Sequence, residues 1–265
     1  MTKRFLSLGC FVALFTLTAF FARAETKLPS ILGSHMVLQQ GAACPIWGWD
    51  DAGTEVTVSF AGQTHTAKAG KDGRWQVSLT AMKANAKGAA LTVKGSSTVK
   101  LNDVLVGEVW LCSGQSNMGF PVAAANDPDL EQLSANYPNI RLIAVPRMGT
   151  QEPQDDFDGQ WEACTPDTVG QFSAVGYFFG RQIHQTLNVP VGLIDNAWGG
   201  SACEAWIQRN RLEKLPAAKP YMAQWAETEA KFDESKMKAD YENKMALWQK
   251  RFEKAKSTNK SCKTI

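Results

Sequence analysis

Two short segments carry the residues best suited to chemistry. VWLCSGQSNM, residues 109–118, runs an apolar, strand-like stretch straight into Gly114, Gln115, Ser116 and Asn117. α/β sheets gather their ligands beyond the carboxyl ends of strands, so a serine there is placed to act as a nucleophile. Gly114 lets the chain bend sharply, and the amide of Ser116 can itself donate to an oxyanion. The α/β-hydrolase elbow Gly-x-Ser-x-Gly is not matched, because Met118 fills its last glycine position. The second segment, Asn196-Ala197-Trp198-Gly199-Gly200-Ser201, follows another apolar run, Val189 to Ile194. Paired glycines permit close backbone approach and leave amides free to donate. Each loop alone reads equally as a plain turn, but two of them on one sheet edge make an acyl-transfer site.

An unactivated serine hydroxyl is a poor nucleophile near neutral pH, so such a site needs a base. The three histidines, His35, His65 and His184, are scattered. His35 and His65 fall among short strands, and His184 sits on a helix, where it reads as a surface residue. No Cys-x-x-Cys or Cys/His cluster has zinc spacing, so no metal is expected.

The elements that must position these loops are legible in three stretches. From Leu28 to Leu101 the chain reads as short strands between turns: Val56, Val58 and Phe60 alternate with polar residues, as do Trp75, Val77 and Leu79 after the Lys71-Asp72-Gly73 turn. This predicts a small all-β sandwich module over 25–102. From Asp103 the pattern changes. Val104 to Cys112 is a near-continuous apolar run, as in a strand covered on both faces, and Arg141 to Val145 and Val189 to Ile194 are further strands. Val175, Phe178, Phe179, Ile183 and Leu187 recur at helical spacing and predict a helix over 174–187. Strands alternating with helices predict an α/β sheet with parallel strands over 103–207. Residues 208–265 read as a helical insertion with a polar, open end; Tyr241, Met245, Trp248 and Phe252 mark one stripe of an amphipathic helix, a packing face.

Lys3 and Arg4, the apolar run Phe5 to Phe21, and Ala22-Arg23-Ala24 predict a cleaved signal peptide over 1–24, and so export to the periplasm or the exterior. Cleavage removes Lys3, Arg4 and Arg23 and no acid, which leaves 25 basic residues of the 28 against 26 acidic, a formal net of −1. The 265-residue chain is 44% hydrophobic and 20% charged, a globular composition with no basic excess for nucleic acid or a membrane surface. Without Cys10 an odd set remains, Cys44, Cys112, Cys164, Cys203 and Cys262, so at least one thiol stays unpaired or bonds another chain.

Gly114-Gln115-Ser116-Asn117-Met118 resembles the first block of the SGNH hydrolases, in the form found in sialate O-acetylesterases. Surrounding phrases agree in order: HMVLQQ (35–40), PIWGW (45–49), DGRW (72–75), VGEVWLCSGQSNM (106–118), FSAVGYFFGR (172–181) and VPVGLIDNAWGGSACEAW (189–206). The resemblance implies an α/β, flavodoxin-like SGNH hydrolase domain, here incomplete, behind an N-terminal β-module. It also implies removal of O-acetyl groups from sialic acid or related sugars without metal or cofactor. Ser116 matches the nucleophile, which also lends its amide to the oxyanion hole. Gly199 and Gly200 match the second block, Gly200 being the preferred oxyanion donor. Gln115 and Asn117 shape the nucleophile loop, and Glu204 is structural or near the substrate. The family's third block, a Gln-Gly-Glu phrase, and its late Asp-x-x-His do not occur in these 265 residues. Hence the expectation is a C-terminally truncated member with no general base in this chain and weak or no activity alone. A xylan or other glycan acetylesterase, and a non-catalytic or vestigial carbohydrate-binding protein, are the alternatives.

Overall fold

Period-two alternation of apolar side chains builds the first part of the chain. The computed structural model describes residues 25–257, so the expected signal peptide and the end of the tail lie outside it. Within it β1 (Val37–Gln39), β2 (Cys44–Trp49), β3 (Glu55–Phe60), β4 (Gln63–Lys68), β5 (Arg74–Leu79) and β6 (Asn85–Lys94) follow one another with no helix between them. Val56, Val58 and Phe60 of β3 and Trp75, Val77 and Leu79 of β5 are all buried, as their spacing requires. The Lys71-Asp72-Gly73 turn places Gly73 at φ 77°, yet it closes no hairpin. It carries the chain between sheets: β4 pairs with β3, whereas β5 pairs with β2. Ile46, Val77 and Leu79 of the β2–β5 pair share one core with Val56, Val58, Leu91 and Val93.

The spine of the fold is β7 (Thr98–Gly114), 17 residues long. It pairs antiparallel with β6 as far as Val106, then parallel with β10 (Val191–Ala197) from Glu108 to Gly114. The change of pattern read at Asp103 is therefore a change of partners within a single strand. Asp103 itself takes a left-handed φ of 55°, and its carboxylate accepts from His35 Nδ1 at 2.8 Å and Arg141 Nη1 at 2.7 Å. The Arg141 side chain is buried, and its Nε donates to the Pro138 carbonyl at 2.7 Å.

β8 (Tyr137–Ala144) pairs parallel with β10, and β9 (Glu162–Cys164) pairs antiparallel with β8. The eight-stranded sheet has the order β4-β3-β6-β7-β10-β8-β9, with β1 also paired to β7. The parallel strands expected are β7, β10 and β8, but β6 and β9 run the other way and the sheet is mixed. The Val104–Cys112 run is not covered throughout: Trp110 is 41% and Leu111 61% exposed. Pairing with β6 ends at Val106, so among the described residues this end of β7 has a strand on one side only.

Helix α1 (Pro128–Ser134) is short, and α2 (Ala174–Leu187) has the bounds its periodicity predicts. Ser173 caps α2, its Oγ accepting from the Gly176 amide at 3.0 Å. Gly180 lets α2 lie close on β10, because a side-chain carbon there would meet Leu193 Cδ1 at 2.6 Å. Tyr177, Leu193, Ile140, Leu142 and Cys112 form the second core.

The first compact unit ends at Ser201 and the second begins at Ala202. The second contains α3 (Arg209–Leu212), α4 (Lys219–Ala230) and α5 (Glu234–Ser257). Arg209 ties α3 to α4 through Glu229 at 2.6 Å. Trp248 and Phe252 of the α5 stripe stack at 5.2 Å, but Tyr241 is 63% exposed, so the stripe is not a fully packed face. No described helix is long and apolar enough to cross a membrane.

Candidate active site

Parallel pairing of β7 and β10 brings their carboxyl ends, and therefore the two chemical loops, side by side. Gly114 is opposite Ala197, and the Trp198 amide donates to the Gly114 carbonyl at 2.9 Å. Gly114 has a φ of 147°, a conformation that side chains disfavour, and there the chain leaves the strand into the Ser116 turn. Asn196 and Ala197 belong to β10, so the second loop starts at Trp198, two residues later than its composition suggests.

The serine turn and the glycine pair are in contact. A side-chain carbon on Gly199 would stand 3.4 Å from both Cα and Cβ of Ser116, so only glycine leaves the space beside the serine open. The Ser201 amide donates back to the Trp198 carbonyl at 3.3 Å, closing a turn with Gly200 at φ 78°. Positive φ at the third residue of a turn is the type II pattern that favours glycine. Among the described residues the amides of Ser116, Gly199 and Gly200 donate to no protein acceptor. Ser116, Gly199 and Gly200 are all exposed. The loops are also cross-tied by Gln115 Nε2, which donates to the Ser201 carbonyl at 3.4 Å, while Asn117 is exposed on the turn. A hydroxyl beside unused amides in two adjoining loops is an arrangement that can attack a carbonyl and hold the resulting oxyanion.

Beneath the serine turn lies a supporting layer that sequence reasoning did not single out. The Ser173 hydroxyl donates to the Met118 carbonyl at 2.5 Å, linking the α2 N-terminus to the nucleophile loop. Arg147 Nε donates to the Ala197 carbonyl at 3.2 Å. Asp195 is buried under the same edge, and its Oδ1 has no hydrogen-bond partner. Burial pushes the Asp195 carboxyl above its usual range, against weaker pulls from the backbone amides of Ala197 and Ser173 and from Arg147. Ser173 and Asp195 lie inside the phrases FSAVGYFFGR and VPVGLIDNAWGGSACEAW without standing out there, whereas Arg147 lies in none of the family phrases.

The family described as carbohydrate esterase, sialic acid-specific acetylesterase matches residues 106–255, more than half of the chain. The chain belongs to this family. The human sialate O-acetylesterase is 33% identical over 208 residues, 71% of this chain and 40% of its own length. The rat enzyme of the same name is 33% identical over 207 residues, 71% of this chain and 38% of its own. The crystal structure of a carbohydrate acetylesterase from Xanthomonas citri superposes with a TM-score of 0.67 at 39% identity, over 69% of this chain and 42% of that one. The chain thus spans about two fifths of the length of these relatives. The family match takes in both site loops.

The structure brings none of the three histidines to Ser116. His35 is bound to Asp103, and His65 lies on β4 beside Gln63 at 3.2 Å. His184 is not the free surface residue its helix suggests, because its Nδ1 donates to the Val189 carbonyl at 2.7 Å. Glu204 falls in a short turn, Cys203–Trp206, of the second unit. The four described cysteines are free thiols, and burial pushes Cys112 up to about 11 and Cys164 up to about 12. Neither is a thiolate nucleophile at neutral pH.

Proposed function

We propose that this chain carries the nucleophile half of a serine O-acetylesterase acting on acetylated sugars. The observation that carries the reading is the open backbone of Gly199 against Ser116, with the amides of both loops unused. In this reading Ser116 Oγ bonds to the acetyl carbonyl carbon while a base removes its proton. The tetrahedral oxyanion is held by the amides of Ser116 and of Gly199 or Gly200. The bond to the sugar oxygen then breaks, the proton passes to the departing hydroxyl, and water releases acetate from the serine. The base and a third oxyanion donor come from sequence outside residues 25–257, so residues 25–257 alone hydrolyse esters weakly. Sialic acid is the leading sugar and acetylated xylan the alternative. Residues 25–102 act as a β-sandwich module, and the protein works after export, its signal peptide removed.

The test is acetate release from O-acetylated sialic acid and from p-nitrophenyl acetate by the purified protein. Ser116→Ala is expected to abolish both. A Ser116→Ala protein as active as the wild type, or glycan binding with no hydrolysis at any level, would favour the non-catalytic reading instead.

A further inference from the structure

Arg147 stands at the one sheet edge where the loops after β7, β8 and β10 converge. β8 and β10 are parallel neighbours, so the residues after Ala144 reach the same end of the sheet as Ser116 and Gly199. The Arg147 Nε is spent on the carbonyl of Ala197, at the root of the glycine loop. Its Nη2 lies 3.4 Å from where a side chain on Gly119 would begin, and the Gly119 amide donates to the Gln115 carbonyl at 2.9 Å. The guanidinium is therefore seated between the two loops by one of its five donors, with its Nη groups left over.

Its charge is unanswered. Of the four described arginines in the first unit, Arg74, Arg141 and Arg181 each pair with a carboxylate, whereas Arg147 pairs with none among the described residues. Arg147 is exposed, so a solute can reach it. The nearest carboxyl that feels it, Asp195, lies buried beneath the loops, makes no ion pair with it, and is raised by burial against the pull of Arg147. Beside it the indole of Trp198 is 39% exposed, and a carbon on Gly149 would lie 3.9 Å from Trp198 Cη2. A partly exposed indole next to a planar cation with no carboxylate partner matches a ligand with an apolar ring face and a carboxylate.

We propose that Arg147 is the specificity-determining residue that binds the carboxylate of an acidic sugar at the Ser116 site; this rests on the esterase reading above. Arginine suits the task because its planar fork takes a carboxylate by two parallel hydrogen bonds, which a lysine ammonium does not. A neutral acetylated sugar gains nothing from it.

The experiment compares the affinities of the protein for N-acetylneuraminic acid and for its C1 methyl ester, by calorimetry or ligand-observed NMR. The wild type is expected to favour the acid about tenfold or more, as a charge-assisted bidentate pair provides. In Arg147→Gln the ratio is expected to fall to near one, and in Arg147→Lys to lie between. Continued binding of the methyl ester by Arg147→Gln shows that the variant is folded. A wild-type ratio near one, a ratio unchanged in Arg147→Gln, or no binding of either sugar by the wild type would overturn the proposal. Ester hydrolysis by the wild type and Ser116→Ala is read in parallel. Failed hydrolysis with an intact ratio counts against the reaction alone, and the reverse counts against the role of Arg147 alone.

Discussion

The Pro190 carbonyl oxygen occupies the space that a side chain on Gly107 would need, 2.0 Å from the position of its first carbon. The contact comes one residue before β7 and β10 join, where the Glu108 amide donates to that same carbonyl at 2.9 Å. A glycine is required because backbone, not a yielding side chain, stands opposite. Gly107→Ala is expected to cost about 3 kcal/mol, as overpacking against fixed backbone does. Calorimetry should show a fall in Tm of roughly 6–12 °C for a protein of this size. A Tm within 1–2 °C of the wild type, about what a neutral surface change gives, would mean that β10 sits further from β7 than described.

The neighbouring glycine pair supports a functional prediction. Gly199 is exposed, so Gly199→Ala should leave Tm nearly unchanged, yet its new carbon would rest on Ser116 at 3.4 Å and fill the open space beside the nucleophile. A methyl group in the space through which the acyl group approaches shifts the bound ester from its attack geometry, which costs about tenfold or more in rate. The rate of p-nitrophenyl acetate hydrolysis, normalised to folded protein, checks this. Gly200→Ala should lose both rate and stability, because Gly200 holds a positive φ of 78°.

How much of this was legible depended on the range of the interactions involved. α2 was readable to the residue because its determinants are local: a Ser173 cap, a helical apolar stripe, and Asn188 in the left-handed conformation at its end. β3 and β5 were readable from alternation, but their partners were not, since pairing β5 with β2 rather than β4 is decided by a core assembled from distant strands. Ser116, Gly199 and Gly200 announced themselves by residue type. Arg147 and Asp195 did not, because an isolated arginine after a strand and a lone aspartate within one acquire meaning only when two parallel strands bring them under the loops. Arg141 opened an apolar run with nothing local to mark its burial, which accompanies its pairing with Asp103, 38 positions earlier in the chain.

Two buried aspartates give opposite pH dependences. Burial alone would raise Asp50, but hydrogen bonds from Ser96 and Thr26, including Thr26 Oγ1 at 2.7 Å, outweigh it and hold Asp50 below the usual carboxylate range. Its stabilising contribution is therefore present above the unfolded value of about 3.9 and is lost as pH falls through the folded value. Asp195 is shifted upward, so its contribution is present below about pH 3.9 and lost as pH rises through the folded value. Urea unfolding at pH 3 and pH 7 should show Asp50→Asn less stable than the wild type at pH 7, with the gap narrowing at pH 3. Asp195→Asn should be more stable at pH 7, with its gain shrinking at pH 3. Gaps that do not change with pH would show that neither carboxyl titrates differently on folding.

His184 separates structure from catalysis most directly. Its Nδ1 donates to Val189 in the last turn of α2, and the Asn188 amide returns a bond to the His184 carbonyl at 2.9 Å, so the residue closes the connection into β10. His184→Ala should cost about 1 kcal/mol, the worth of one such hydrogen bond, and lower Tm by roughly 2–4 °C. Hydrolysis per folded molecule should remain within about twofold of the wild type, whereas loss of a general base costs about 10²-fold or more. A hundredfold loss of rate in His184→Ala with an unchanged Tm would place the base on α2 after all. The hydrogen bond to Val189 argues for the other outcome, because it commits the imidazole to the β10 connection, away from the serine turn.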